Sequence, residues 1–151
     1  MKRTEDPGLA VDNYCFACGQ ANPKGLHLTF RFEGEEYVCE FTPEQEYQGW
    51  TQILHGGIVA TVLDEVMTRA LWERGMAAMT VELTIRLKRP VPIGEPVTAR
   101  SRLVSTRKRL CETEAELVLA DGTIAATATG RFLRVEPPGE QGADEACSLT
   151  R

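Results

Sequence analysis

The 151-residue sequence has no apolar run near the roughly 20 residues that cross a membrane, and its polar N-terminus lacks the apolar core of a secretory signal. We therefore expect a cytoplasmic protein with no membrane partner. A formal net charge of −5 argues against a nucleic-acid partner. The ordinary apolar and charged fractions, 42% and 26%, argue against disorder over most of the length and predict one domain with a real core.

Cysteines are few, odd in number and without the spacing of a disulfide framework, so we expect reduced thiols. The five are Cys15, Cys18, Cys39, Cys111 and Cys147. Cys15 and Cys18 have the C-x-x-C spacing of a zinc ligand pair, but a structural zinc ion takes four ligands and no second pair follows. His27 offers a third ligand, and a second chain could supply others. We nevertheless expect no metal here, only a compact turn with two half-buried thiols.

Residues 54–71 carry the strongest pattern in the sequence. Apolar residues recur there every three or four positions, which predicts a helix from about His55 to Glu73, ended by a glycine at Gly75. The apolar stripe is wide, so protein should surround most of the helix.

Two glycines open this helix, and a carboxylate follows two turns later. Gly56 and Gly57 have no Cβ, so a ligand can approach the free N–H groups of the first turn, where the helix dipole favours negative charge. Asp64 lies beside the apolar stripe, where burial and neighbours could tune its acidity. Glu65 is turned about 100° from it and should point elsewhere. A helix start that attracts anions and a nearby carboxylate suggest acyl chemistry.

Outside the helix, alternating apolar and polar residues predict six strands. They are expected at 26–33, 37–41, 79–88, 97–106, 110–119 and 124–135. Two strands, one long helix and then four strands in a meander predict an α+β fold in which a curved antiparallel sheet wraps the helix. The sheet's edges favour pairing with a second copy, so we expect at least a homodimer. Residues 1–12 should be flexible, 13–135 a single domain and 136–151 a disordered tail.

The run from His55 to Glu65, followed by Val81 to Pro90, resembles the hotdog-fold thioesterases, in particular the PaaI-like branch of the 4-hydroxybenzoyl-CoA thioesterase superfamily. The resemblance extends over 13–134 and includes C-F-x-C-G-x-x-N-P-x-G-L near the N-terminus. It implies the hotdog fold and hydrolysis of an acyl-CoA to a free carboxylic acid and coenzyme A. It implies no metal or organic cofactor, since coenzyme A is part of the substrate. A homodimer is implied, with a dimer of dimers (a homotetramer) left open.

The resemblance also implies roles for four residues. Gly56 is the oxyanion donor through its backbone N–H. Asp64 is either the general base or the nucleophile, a choice that stays open. His55 supports the thioester or only caps the helix, and Thr80 helps to place the water. Asp64 alone would be an ordinary polar residue on a helix edge; the glycines and the resemblance together favour catalysis.

The acyl-CoA would be bound by an aromatic wall and by cations. The candidates for substrate binding are Gly57, Trp50, Arg86, Lys88, Arg107, Lys108 and Arg109. Trp50 either walls a pocket or packs against the core. The basic side chains could hold the phosphates of coenzyme A through charge-assisted contacts, or be solvated, as charge runs usually are.

Two other functions stay open. The chain could be a hotdog module that binds acyl-CoA without cleaving it. A hotdog dehydratase or hydratase is less favoured, because the chain has only two histidines for the acid–histidine pair that such an enzyme needs.

The spacing of Gly56 and Asp64 has a geometric consequence. Eight residues along a helix span about 12 Å, which is too far for one carbonyl to meet both groups. We therefore expect each site to combine Gly56 of one chain with Asp64 of a two-fold partner.

Overall fold

The computed structural model describes residues 9–135, which contain one long helix and six strands. The expected flexibility of residues 1–8 and disorder of 136–151 lie outside the described residues. In chain order the elements are β1 (Arg31–Glu33), β2 (Glu36–Phe41), a short 3₁₀ helix (Gln45–Tyr47), α1 (Gly56–Glu73), β3 (Ala78–Leu87), β4 (Val97–Arg107), β5 (Leu110–Val118) and β6 (Ile124–Arg134). Within 9–135, no helix is long and apolar enough to span a membrane.

The six strands form one antiparallel sheet in the order β1-β2-β4-β5-β6-β3, and α1 packs against β2, β3, β4, β5 and β6. The apolar stripe of α1 is buried as predicted, through Val59, Val62, Leu63, Val66, Met67, Ala70 and Leu71. Between helix and sheet, the buried hydroxyl of Ser101 donates to the carbonyl of Val66 at 2.8 Å. The predicted fold class, one helix wrapped by a six-stranded antiparallel sheet, is confirmed.

The prediction of a four-strand meander is wrong for its first strand. β4, β5 and β6 follow one another, but β3 pairs with β6 and not with β4. The reason is the connection 88–96, which is too long and too rich in proline for a tight hairpin. It passes beside the loop before α1, where the N–H of Leu54 donates to Val91 O at 2.8 Å and that of Ile93 to Gln52 O at 3.0 Å. β4 thus arrives beside β2, and β3 is left at the sheet edge.

The predicted strand at 26–33 is wrong over its first five residues, since β1 contains only the last three. The N–H of Leu28 donates to Ala17 O at 3.0 Å, so the preceding turn takes a hydrogen bond that a strand would give to β2. His27 also has a φ of 53°, which interrupts an extended backbone. Leu28 is nevertheless buried. Apolar and polar residues alternate around it as they do in a strand, which is why the sequence pattern predicted one.

The ends of α1 agree with the sequence pattern. The helix begins at Gly56, with His55 as its N-cap. At the other end Gly75 has a φ of +82°, and the N–H of Met76 donates to Leu71 O at 2.9 Å. This is the glycine-terminated helix end that was predicted.

Candidate active site

Asp64 and Thr80 form a hydrogen-bonded pair between α1 and the edge strand. The helical periodicity turns Asp64 toward the start of β3, where the Thr80 hydroxyl donates to its Oδ1 at 2.8 Å. Burial raises the pKa of the Asp64 carboxyl above its ordinary value, and the hydrogen bond from Thr80 opposes that change. A half-buried carboxylate whose pKa is set by two opposing effects suits a general base or a nucleophile.

His55 caps the start of α1 through its ring. Its Nδ1 accepts the N–H of Gly57 at 2.9 Å, so that N–H is not available to a ligand. An accepting Nδ1 leaves the proton of the neutral ring on Nε2, from which it can be donated outward. Across residues 9–135, no group accepts a hydrogen bond from the N–H of Gly56. This N–H is therefore the one at the helix start that a carbonyl oxygen can take.

The two glycines differ in the space around them. A Cβ on Gly57 would lie 3.0 Å from Nδ1 of His55 and would press on the cap. A Cβ on Gly56 would lie 3.1 Å from Cδ1 of Leu87, the far end of a flexible side chain. The last residue of β3 therefore lies against the helix start, and the glycine at 57 leaves room for the cap.

A cavity of about 390 Å³ opens beside the helix start, and Trp50 stands at its rim. Its lining residues are Gly49, Trp50, Leu54, His55 and Gly56. Trp50 is 83% exposed, so it does not pack into the core of the protomer. The structure thus brings three of the predicted residues, Trp50, His55 and Gly56, around one cavity.

The predicted cations divide between the two ends of the sheet. Lys88 follows Leu87 and so lies at the end of the sheet that carries Gly56. Arg86 lines a separate hollow of about 450 Å³ on the sheet face away from the helix. The hairpin 107–109 is at the opposite end, about 25 Å away along β3 at the usual rise per strand residue. One protomer does not bring that hairpin to the cavity.

Gly56 and Asp64 lie on one continuous helix, which keeps them about 12 Å apart. Reacting groups must come within about 3.5 Å of each other, so one reacting carbonyl cannot contact both. The predicted site residues of one chain therefore fall into two separate groups, or half-sites. We call them the helix-start half (Trp50, His55 and Gly56) and the carboxylate half (Asp64 and Thr80).

Glu65 takes a part that its position beside Asp64 did not suggest. As expected it points away from the carboxylate half, but its Oε1 lies 3.7 Å from the donating Sγ of Cys15 in the C-x-x-C turn. Burial, with a further contribution from Glu65, raises the pKa of the neighbouring Cys18 thiol far above its ordinary value. No sequence spacing connects this turn with Glu65, because the contact exists only in the folded chain.

Comparison with known proteins places this chain in a family. Residues 51–126 of the 151-residue chain, half of its length, match the family described as the thioesterase superfamily. Mouse acyl-coenzyme A thioesterase 13 is 31% identical over 85 residues, which are 55% of this chain and 61% of the mouse protein. Bovine acyl-coenzyme A thioesterase THEM4 is 34% identical over 101 residues, 66% of this chain and 41% of the bovine one. The chain thus spans less than two thirds of these curated relatives.

Solved structures share the fold. The thioesterase superfamily protein RHA08564 is 29% identical, with a TM-score of 0.76 over 80% of this chain and 63% of that one. The PaaI protein of E. coli, from the phenylacetic acid degradation operon, is 22% identical, with a TM-score of 0.69 over 74% and 82% of the two chains. Together with the helix in its six-stranded sheet, these matches show that the chain belongs to the thioesterase superfamily and has the hotdog fold.

Proposed function

We propose that the protein is an acyl-CoA thioesterase, which hydrolyses a thioester with water to a free carboxylic acid and coenzyme A. The observation that carries the proposal is the half-buried Asp64 carboxyl, which accepts the Thr80 hydroxyl at 2.8 Å on a helix whose Gly56 N–H is free. The mouse and bovine relatives are named acyl-coenzyme A thioesterases. A Streptococcus mutans protein of similar fold, 15% identical, is described as bound to acetyl CoA.

The residues of both half-sites have clear parts in this reaction. The N–H of Gly56, at the positive end of the α1 dipole, polarises the thioester carbonyl and stabilises the oxyanion that forms on it. The Nε2–H of His55 is a second donor beside it. Asp64 takes a proton from the attacking water, or attacks the carbonyl itself to give an anhydride that water then opens. Thr80 holds one carboxylate oxygen, so the other is free to face the reacting atom.

A complete site requires a second copy of the chain, and we propose that it pairs through β3. This edge strand has ten residues, and within the described part of the chain its only neighbour in the sheet is β6. Its side chains at Met79, Val81 and Leu87 are exposed and apolar. An exposed edge is a template for pairing with another strand. A two-fold partner would bring its own Asp64 opposite Gly56.

The same pairing would bring Lys88 and the partner's hairpin 107–109 to one end of the sheet. Antiparallel association of two β3 strands reverses one relative to the other, so the hairpin 107–109 of the partner comes to the end of the sheet that carries Gly56 and Lys88. Cations at that end would meet the phosphates of coenzyme A. The acyl group would then lie between α1 and the partner, where Trp50 can cover it.

The proposal is tested by a thiol-release assay over aryl, short-chain and long-chain acyl-CoAs. We expect release from at least one class, and a decrease in kcat of about 10² or more for Asp64→Asn, because a general base or nucleophile is lost. Tight acyl-CoA binding with no thiol release from any class would contradict hydrolysis and favour the non-catalytic binding module. A dehydratase finds no support, because the second histidine, His27, contacts the carbonyl of Asn22 in the N-terminal turn.

A further inference from the structure

The C-x-x-C turn packs on the side of α1 away from Asp64, where it forms a cluster of metal-ligating side chains. The thiol sulfurs of Cys15 and Cys18 and a carboxylate oxygen of Glu65 all lie within 4.8 Å of one another. The hydrolytic chemistry proposed above uses none of these three residues. Fifty positions separate Cys15 from Glu65, so the fold and not the local sequence brings them together.

The turn is built so that both thiols face the same side. The N–H of Gly19 donates to Cys15 O at 2.8 Å, which closes one helical turn around the pair. A Cβ on Gly19 would lie 2.3 Å from the backbone nitrogen of Cys15, so no other residue fits at this position. The side chain of Asn13 accepts the N–H of Gln20 at 3.0 Å and ties the turn's two ends together. The cysteines are therefore held by backbone, before any ion binds.

The cluster has no compensating positive charge of its own. Glu65 is half-buried, and in the described part of the chain no Lys, Arg or His forms an ion pair with it. A half-buried carboxylate without a cation costs free energy unless another group compensates it. Its neighbours here are two thiols, whose deprotonated form is a metal ligand. A bound metal ion would give the carboxylate a direct positive partner.

We propose that Cys15, Cys18 and Glu65 bind one Zn²⁺ ion, with a water molecule as the fourth ligand. In a tetrahedral site with Zn–S bonds of about 2.3 Å, two sulfurs lie about 3.8 Å apart. The cluster needs only small side-chain shifts to reach that spacing, because its ligand atoms are already within 4.8 Å. On coordination the two S–H protons pass to solvent. Thiolate sulfur favours Zn²⁺ over the harder Mg²⁺ or Ca²⁺.

The ion would join the N-terminal turn to the helix that carries Asp64. Because the folded chain assembles the ligands and the unfolded chain does not, binding adds directly to the stability of the fold. The ion would not act on the thioester, since Glu65 and Asp64 lie about 100° apart around the helix. This zinc site does not depend on the proposed hydrolysis.

The first test measures metal content and coordination in the full-length chain. After purification under reducing conditions, mass spectrometry of the metals should give one Zn²⁺ per chain. Replacement by Co²⁺ should produce thiolate-to-cobalt charge-transfer bands and the intense visible bands of a tetrahedral site. Removing Zn²⁺ with a chelator should lower Tm, and adding it back should restore Tm. A chain that binds neither Zn²⁺ nor Co²⁺ would overturn the proposal.

Variants identify the ligands. Cys15→Ser with Cys18→Ser should abolish stoichiometric binding, and Glu65→Gln should weaken Zn²⁺ affinity by at least about tenfold, the scale on which even outer-shell partners act. Glu73→Gln, on the same helix but outside the cluster, should leave the Zn²⁺ affinity unchanged. Unchanged affinity in Glu65→Gln would show that the three-ligand site is wrong.

A measurement on the unmutated chain covers the case in which the cysteine variants fail to fold. The native chain has five cysteines, and the number that react with a thiol reagent is counted with and without the metal. We expect two fewer cysteines to react in the Zn²⁺-saturated chain than in the chain treated with a chelator. Peptide mapping should identify them as Cys15 and Cys18. Protection of neither would contradict the site.

Discussion

The Thr80 hydroxyl donates to Oδ1 of Asp64 at 2.8 Å, and this hydrogen bond opposes the rise in the carboxyl's pKa that burial causes. In the proposed reaction Asp64 must be ionised, so Thr80 would extend its activity to lower pH. Thr80→Val should therefore move the acid limb of the profile of kcat/KM against pH to higher pH. Thr80→Ser keeps the hydroxyl and should leave the limb in place. An unmoved limb in Thr80→Val would show that the contact does not tune the carboxyl.

The raised pKa of Asp64 also predicts an effect on stability. The folded chain holds this proton more tightly than the unfolded chain, so the carboxyl stabilises the fold below its unfolded pKa of about 4. That stability is lost as the pH rises through the higher folded pKa. At pH 8 the ionised group is therefore unfavourable, and the neutral Asp64→Asn should have a higher Tm than the native chain. At pH 4 the difference should be small.

Asp121, in the turn between β5 and β6, is a control because its pKa is shifted in the opposite direction to that of Asp64. Hydrogen bonds from Thr123 lower the pKa of Asp121, so its carboxylate stabilises the fold above its unfolded pKa and that stability is lost on acidification. Asp121→Asn should lower Tm at pH 8. Thermal unfolding followed by circular dichroism at both pH values separates the two cases; a fall in Tm for Asp64→Asn at pH 8 would contradict the assignment.

The helix and both of its ends could be predicted because they depend on neighbouring residues. The apolar period of 3.6 residues, the cap at His55 and the glycine at Gly75 are all local signals. The place of β3 beside β6 is not local, since it depends on the path of residues 88–96 past the loop before α1. The strand expected at 26–33 failed for a similar reason, because its hydrogen bonds go to a turn about ten residues earlier.

The N–H of Gly56 can be removed with little other change. Proline suits the first position of a helix, and His55 already has the extended ψ of 132° that a residue before proline requires. Gly56→Pro should therefore fold and should lower kcat by about 10² to 10³, the effect of losing one oxyanion donor. Gly56→Ala keeps the N–H, and its Cβ meets only the flexible Leu87 side chain. Gly56→Ala should therefore retain most of the activity. An equal loss of activity in both variants would show that the added side chain, and not the missing N–H donor, is the cause.

Association through β3 can be tested with two similarly exposed valines. Val81 and Val104 are 58% and 56% exposed, and both stand at irregular positions in their strands. Val81→Lys places a charge on the edge strand and should convert the proposed dimer to monomers without thioesterase activity. Val104→Lys, on an inner strand, should remain dimeric and active. Light scattering during size-exclusion chromatography reports the mass, and an active monomer in either variant would contradict a shared site.

The sequence does not show which atoms of the candidate site are free to contact a ligand. Only the resemblance distinguished Gly56 from Gly57 in the sequence, and only the position of the His55 ring shows that the N–H of Gly57 is used by the cap. The pair of Asp64 and Thr80 likewise depends on where β3 passes the helix. The contact of Glu65 with Cys15 joins segments 50 positions apart. The sequence could single out candidate residues, but not the contacts that each of them makes in the folded chain.

The proposed division of the site between two chains makes a prediction that no single-chain site can satisfy. Homodimers of Gly56→Pro lack both oxyanion donors, and homodimers of Asp64→Asn lack both carboxylates, so each should be nearly inactive. A heterodimer of the two variants pairs the intact Gly56 of one chain with the intact Asp64 of the other. It therefore regains one complete site and one doubly defective site.

This heterodimer can be isolated from co-expressed chains that carry two different affinity tags. Its kcat per dimer should be about half that of the native dimer, because one of two sites works. A native chain paired with Asp64→Asn should have the same activity and serves as the matched control, since it too contains one complete site. If each site used Gly56 and Asp64 of the same chain, the variant heterodimer would be as inactive as its parents while the control kept half the activity.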